Sequence, residues 1–145
     1  MPIGRCDLIS TLVTISNMSY CTAIRSNELS ELHKVYHDTL YGFPDANDNE
    51  LFGKMLMEMN QAGLSWDIVL KKKDTIREAY ADFDIATVAQ FDDSMVDEML
   101  LNPGIVRMRA KVLAAIANAQ RIQELQTSHG SFMAWLDAYH PLPIV

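Results

Sequence analysis

With 145 residues, 49% of them hydrophobic and 21% charged, the chain has the size and apolar content of one globular domain, which excludes a disordered or fibrous protein. A net charge of −7 argues against nucleic acid as a partner of the surface as a whole. No apolar run reaches the roughly 18 residues a membrane span needs, so a soluble protein with no membrane partner is expected.

The opening "MPIGRCDLISTLVTIS" has one Arg, a weak apolar stretch broken by Ser and Thr, and no small-x-small cleavage site, so it does not read as a signal peptide. Two cysteines make no disulfide framework, and a reduced, cytoplasmic setting follows. A short amphipathic segment, "NELSELHKVYHD", leads into "YGFP", where Gly42 and Pro44 make a turn. Asn47 or Asp48 caps the next helix, which runs to about Gln61 and is ended by Gly63. Ser65 can cap "WDIVLKKK", Asp74 "TIREAYADF", Asp84 "IATVAQF" and Asp92 "DSMVDEMLL". Pro103 and Gly104 punctuate the chain before its longest helical pattern, "IVRMRAKVLAAIANAQRIQELQ", in which Val106, Leu113, Ile116, Ala117 and Leu125 keep a helical period. After "SHGS" a last helix, "FMAWLDAY", runs into "HPLPIV". No β-alternating stretch, internal repeat or low-complexity segment competes, so the fold class is all-α with short connections.

Within this pattern "MEMNQAGLSW" sets a carboxylate, two amides and an indole close together. At about 100° per residue, Leu51, Ala62, Met55, Met59, Phe52 and Leu56 fill one arc, and Glu58 falls on its border, where an acid is expected to be half desolvated. The plain reading makes Glu58 a surface acid near Lys54, and Trp66 and the tyrosines core aromatics. Gln61, three residues on, either orients Glu58 or is an exposed amide. The nine methionines read as core filler. Seven of the twelve basic residues, Lys71, Lys72, Lys73, Arg77, Arg107, Arg109 and Lys111, lie in two short runs at helix ends. Such runs form a local face able to neutralise phosphates on an otherwise acidic protein, or two solvated helix ends.

Three blocks, "YHDTLYGFP", "ELFGKMLMEMNQAGLSWDIVLKKKDTIREAYADFD" and "NPGIVRMRAKVLAAIANAQRI", resemble consecutive segments of DNA-3-methyladenine glycosylase I, in the same order and at similar spacing, over about Tyr20 to Pro141. The resemblance implies a helix-hairpin-helix-type, base-flipping glycosylase that hydrolyses the N-glycosidic bond of 3-methyladenine in alkylated double-stranded DNA. On it Glu58 is the pocket glutamate that accepts hydrogen bonds from the base edge and carries the catalytic role. Trp66 is the stacking tryptophan, Tyr36 a pocket tyrosine, Tyr41 a second aromatic wall that is often Trp, and Gln61 a further base-binding side chain. Lys71, Lys72, Lys73, Arg107, Arg109 and Lys111 become the DNA-backbone contacts.

Departures from the family pattern qualify this. Leu40 stands where the family usually carries Glu, and His33 where some members have a second pocket tyrosine. The family's zinc site implies Cys21 and His37 as a first ligand pair, but no cysteine follows Cys21, so zinc is not expected to be bound. Cys6 and His33 as substitutes would give C-x14-C-x11-H-x3-H, a spacing unlike compact zinc modules. The family continues past the equivalent of "LDAYHP" with helices that include the DNA-gripping hairpin, whereas this sequence stops after "LPIV". Met18 opens "MSYC", which resembles a family start, so residues 1–17 read as an extension without function, and 18–145 as a glycosylase-like helical domain lacking its terminal segment, which is expected to excise 3-methyladenine poorly or not at all. The competing reading is a catalytically deficient remnant that binds DNA weakly or serves as a protein-interaction module.

Overall fold

The computed structural model describes residues 19–26 and 29–139, and the expected extension over residues 1–17 lies outside them. The described residues contain helices and no strand. They divide into two compact units, one ending at Pro44 and the other beginning at Asp45.

In the first unit Ser19 accepts a hydrogen bond from the Thr22 N–H and so starts α1, Tyr20–Arg25, a helix the sequence pattern did not announce. Ser30 precedes α2, Glu31–Thr39, which begins later than the amphipathic pattern suggested. Past Leu40 the chain turns at Gly42, whose φ of +75° suits glycine.

The second unit holds the aliphatic core. Asn47 is the cap of α3, Asp48–Gln61, its side chain accepting from the Glu50 N–H. Asp48, the other candidate, caps a different helix: its carboxylate accepts from the N–H groups of Phe132 and Met133 and from the Gln126 amide. Burial pushes the Asp48 pKa up, but those three donors together outweigh it and hold the carboxyl below its ordinary value. Phe52 and Leu56 are wholly buried and Leu51, Met55 and Met59 half-buried, close to the arc expected for α3.

Ser65 caps α4, Trp66–Lys71. The next helix, α5, spans Lys73–Ala79, so Asp74 lies in its first turn rather than at its cap; Lys72 closes α4 and opens α5. A short left-handed turn, Ala81–Phe83, follows. Asp84 and Asp92 cap α6, Ile85–Val88, and α7, Asp93–Met99, as their sequence positions predict. The long helix α8 runs Arg109–His129 and Ser131 caps α9, Phe132–Asp137.

Two expectations for α8 need correction. It starts at Arg109 rather than Ile105, because Met108 is extended and the segment before it is tied to α5, Lys72 donating to the Pro103 carbonyl at 2.6 Å and Thr75 to that of Gly104 at 2.5 Å. Its buried face is Val112, Ala115, Ile116, Ala119, Ile122 and Leu125, while Leu113 and Ala117 face outward. Apolar residues occupy both arcs of this helix, and the arc carrying Ala115 and Ala119 is the buried one, on a helix that packs against α6 and α9. Each large side chain so buried contributes about 1.5–3 kcal/mol.

Candidate functional site

The residues singled out from the sequence fall in both units. In the first, one ring organises the candidates. Tyr20 donates from its hydroxyl to the His33 carbonyl at 3.3 Å and shares a hydrogen bond with His33 Nδ1 at 3.2 Å. Its ring meets those of His33, His37 and Tyr41 edge-on, with centroids 5.9, 5.7 and 5.1 Å away. His33 and His37 are four residues apart and therefore share one face of α2. His37 stacks on Tyr41 with an interplanar angle of 20°, and Tyr36 lies 6.4 Å from Tyr41. The sequence named Tyr36 and Tyr41 but not Tyr20. Its role depends on α1 folding back toward α2, which no periodicity in "SYCTAIRS" signals.

Cys21 Sγ is 3.4 Å from His37 Nε2, and Asp38 holds the opposite ring nitrogen at 2.8 Å. That spacing is near the roughly 3.6 Å separating two ligands of one tetrahedral zinc, and a carboxylate behind a histidine is common in such sites. The rest of a site does not fit. No group of three or more His, Cys, Asp or Glu among the described residues is arranged to hold a metal, and Cys21 is disulfide-bonded rather than a free thiol, against the reduced setting expected from the sequence. A structural zinc takes four donors.

In the second unit the site is built around the end of α3. Glu58 is exposed, not half desolvated as the wheel suggested, because Ala62, beside which the wheel placed it, lies past the end of α3 and is itself exposed. Its carboxylate has no hydrogen bond or ion pair among the described residues, and Lys54, its expected neighbour, pairs instead with Asp45 at 2.9 Å. Past Gln61 the backbone makes a type II turn. Ala62 has φ −50° and ψ 117°, Gly63 has φ +81°, and the Leu64 N–H returns to the Gln61 carbonyl at 2.7 Å. Glycine is required at the second central position.

The Gln61 side chain closes this turn from the other side, its amide donating to the Leu64 carbonyl at 2.8 Å. It therefore fixes the loop rather than orienting Glu58. Ser65 then starts α4, and Trp66, its first residue, is half-buried against the aliphatic core. Glu58 and Trp66 thus bracket one short, internally bonded turn.

The basic candidates do not form a free cationic face. Lys111 donates to the carbonyls of Asn60 at 2.6 Å and Ala62 at 2.7 Å, and Lys72 to that of Pro103. Lys71 pairs with Asp67 at 2.6 Å, and Arg109 with Asp97. Lys73 acts on Glu50 through its charge alone, and Arg107 is exposed. A shallow hollow of about 380 Å³ lies elsewhere, between Asn47, Asp48, Asn49, Ser131 and Met133, and its Asp48 carboxylate already accepts three hydrogen bonds from Gln126, Phe132 and Met133. No helix of the described residues is long and apolar enough to cross a membrane.

Comparison with known proteins places these features in context. The family model for methyladenine glycosylase matches residues 26–143. A DNA-3-methyladenine glycosylase of Haemophilus influenzae is 41% identical over 85 residues, covering 59% of this chain and 46% of that protein. DNA-3-methyladenine glycosylase 1 of Escherichia coli is 34% identical over 102 residues, covering 70% and 54%. The chain spans about half the length of these curated relatives. Among solved structures, 3-methyladenine DNA glycosylase I from Staphylococcus aureus, described for its recognition of 3-methyladenine, superposes with a TM-score of 0.73 at 34% identity over 76% of this chain and 58% of that one.

Proposed function

The chain belongs to the methyladenine glycosylase family, and on that premise we propose that it serves DNA base-excision repair, recognising 3-methyladenine in alkylated duplex DNA and hydrolysing its N-glycosidic bond. The observation that carries this reading is the Glu58–Trp66 segment: a carboxylate with no partner among the described residues and an indole, held at the two ends of a bonded turn.

Methylation at N3 makes adenine cationic and weakens its bond to the sugar, because the base departs neutral. The enzyme must then extrude the nucleotide, tell the cation from ordinary adenine, and give modest electrostatic help. Glu58 suits the second and third tasks. A carboxylate accepts hydrogen bonds from the base edge and favours the cationic purine over the neutral one. Trp66 offers a ring face worth about 0.5–2 kcal/mol to a cation, and Tyr36 and Tyr41 are assigned as further aromatic contacts by their motif positions. Of the six basic candidates Lys72 and Lys111 are spent on backbone carbonyls and Lys71 and Arg109 on carboxylates, so Lys73 and Arg107 are the better phosphate contacts. A cytoplasmic location goes with this reading.

The test is a titration of free 3-methyladenine followed by tryptophan fluorescence, with Trp135 as the constant background, alongside release of the base from methylated duplex DNA. Glu58→Gln is expected to weaken base binding about tenfold, the loss of one charge-assisted hydrogen bond, and to lower any release at least as much. Trp66→Ala should lose both the signal and the affinity. Equal binding by wild type and the two variants would remove the assignment.

A further inference from the structure

We infer that Lys111 is a positioning residue for base recognition: its ammonium locks the turn that joins Glu58 to Trp66 in one of two possible peptide orientations. The inference rests on the reading of Glu58 and Trp66 as base contacts.

Were α3 to continue, the Asn60 carbonyl would accept from the Leu64 N–H, but that N–H goes to Gln61 instead. Asn60 O is therefore one of the orphan carbonyls every helix leaves at its C-terminus, and Lys111 satisfies it at 2.6 Å from a neighbouring helix, α8. A cation at this end also complements the helix dipole.

The second bond is more selective. Type I and type II turns differ by rotation of the central peptide through about 180°, here the Ala62–Gly63 peptide. In the observed type II form the Ala62 carbonyl meets Lys111 Nζ at 2.7 Å. In the type I form that oxygen would face the opposite way and the ammonium would lose it. Lys111 thus holds the last turn of α3 and the following peptide together, with the Gln61 side chain closing the same loop across its mouth. Glu58 lies one helical turn before Ala62, and Trp66 follows directly after the capping Ser65, so the relative placement of the two passes through these few bonds.

A phosphate contact and a positioning residue make opposite predictions. For Lys111→Met in the full 145-residue chain, affinity for free 3-methyladenine is expected to fall about tenfold or more, while the log-log salt slope of duplex binding stays as in the wild type. Lys111→Arg, which can donate to two carbonyls, should recover most of the base affinity. Hydrogen exchange at the Leu64 amide should quicken in Lys111→Met and return in Lys111→Arg.

A slope reduced by about 0.9 with base affinity intact would make Lys111 a phosphate contact and overturn the inference. Should Lys111→Met fail to fold, Gly63→Ala strains the same turn without touching the lysine. It is expected to lower base affinity with the salt slope unchanged, and unaltered affinity there would also overturn the inference. A wild-type chain that does not bind the free base overturns the recognition reading itself, whereas wild-type binding matched by a folded Lys111→Met overturns only the role of Lys111.

Discussion

Two turns in the second unit both require left-handed backbone and meet that requirement in different ways. The Gln61–Leu64 turn confines it to Gly63, whose absent side chain would meet nothing within 4 Å, and secures the rest with hydrogen bonds. The Ala81–Phe83 turn has no glycine at all, with φ of 51°, 55° and 63° at Ala81, Asp82 and Phe83. L-residues there cost about 1–2 kcal/mol each. The compensation is packing: Phe83 is buried against Gly53 of α3, and the Arg77 guanidinium lies 5.2 Å from its ring centre. A turn that serves the candidate site is thus exposed and held by polar bonds, and one that serves only the core is strained and held by an aromatic ring. The first can be altered with little loss of stability, the second cannot.

The largest effect is therefore expected at Phe83. Phe83→Ala removes the ring that keeps three left-handed residues in place and should cost about 3–5 kcal/mol in urea unfolding. A loss below 2 kcal/mol would show that the Arg77 pairs with Glu50 and Asp82 hold this turn instead. Gly53 sharpens the same test. A Cβ there would sit 2.2 Å from Phe83 Cδ2, so Gly53→Ala should cost about 1–3 kcal/mol in the native background. In the Phe83→Ala background it should become neutral or stabilising by up to about 1 kcal/mol, the ordinary helix preference of Ala over Gly.

At the other turn Gly63→Ala is expected to cost only about 1 kcal/mol, the strain of one left-handed alanine with no clash added. Equal losses at Gly63 and Phe83 would erase the contrast between the two turns.

How far this was legible in the sequence follows the same division. Local chemistry read correctly: Ser65, Asp84 and Asp92 sit at caps because a short oxygen-bearing side chain before an apolar run has few other uses, and Gly63 marks the end of α3. Long-range hydrogen bonds did not. Lys72, Lys111 and Gln61 look like solvated or ligand-seeking side chains in one dimension. Their carbonyl partners at Pro103, Asn60, Ala62 and Leu64 become visible only when the backbone is folded. The register of α8 was legible only in part, for a different reason: Ile116 and Leu125 of the periodic set are buried, but Leu113 and Ala117 are exposed. These two fit a helical period as well as Ala115 and Ala119 do, and nothing local ranks the two arcs.

Glu50 offers a smaller test of what steadies the strained turn. The hydrogen bond from Arg77 is the main cause holding its carboxyl below the ordinary value, against burial, with the Arg77, Lys54 and Lys73 charges assisting. A carboxyl depressed in the folded state stabilises it fully above the unfolded value of about 4.5 and loses that contribution as pH falls through the lower folded value. Glu50→Gln should therefore cost about 0.2–1 kcal/mol at neutral pH, as suits a half-exposed pair. It should also flatten the loss of stability on the acid side. An unchanged acid limb would mean that Arg77 steadies Phe83 without help from Glu50.

The smallest expected effect lies where the two turns come together. Tyr80 immediately precedes the left-handed turn and Asn60 immediately precedes the glycine turn, and their side chains lie side by side in the core. The Tyr80 ring is wholly buried, yet its hydroxyl and Asn60 Oδ1 have no hydrogen-bond partner of good geometry among the described residues. Burial pushes the Tyr80 hydroxyl up to about 12, and the neighbouring Asn60 offsets only part of that rise. An unmade bond predicts that Tyr80→Phe, which deletes the stranded hydroxyl and keeps the ring, is neutral or stabilising by about 1 kcal/mol at pH 7. The pH dependence carries the same information. A phenol raised in the folded state contributes stability that is complete below its unfolded value of 10 and is lost as pH rises through about 12. Unfolding measured across that window should fall in the wild type and lose this component in the variant. If Tyr80→Phe instead destabilises by 1 kcal/mol or more at neutral pH, the size of a made hydrogen bond, then Tyr80 and Asn60 are joined in solution. The two turns would then act as one unit, and the separation between a polar, adjustable turn and a packed, strained one would no longer hold.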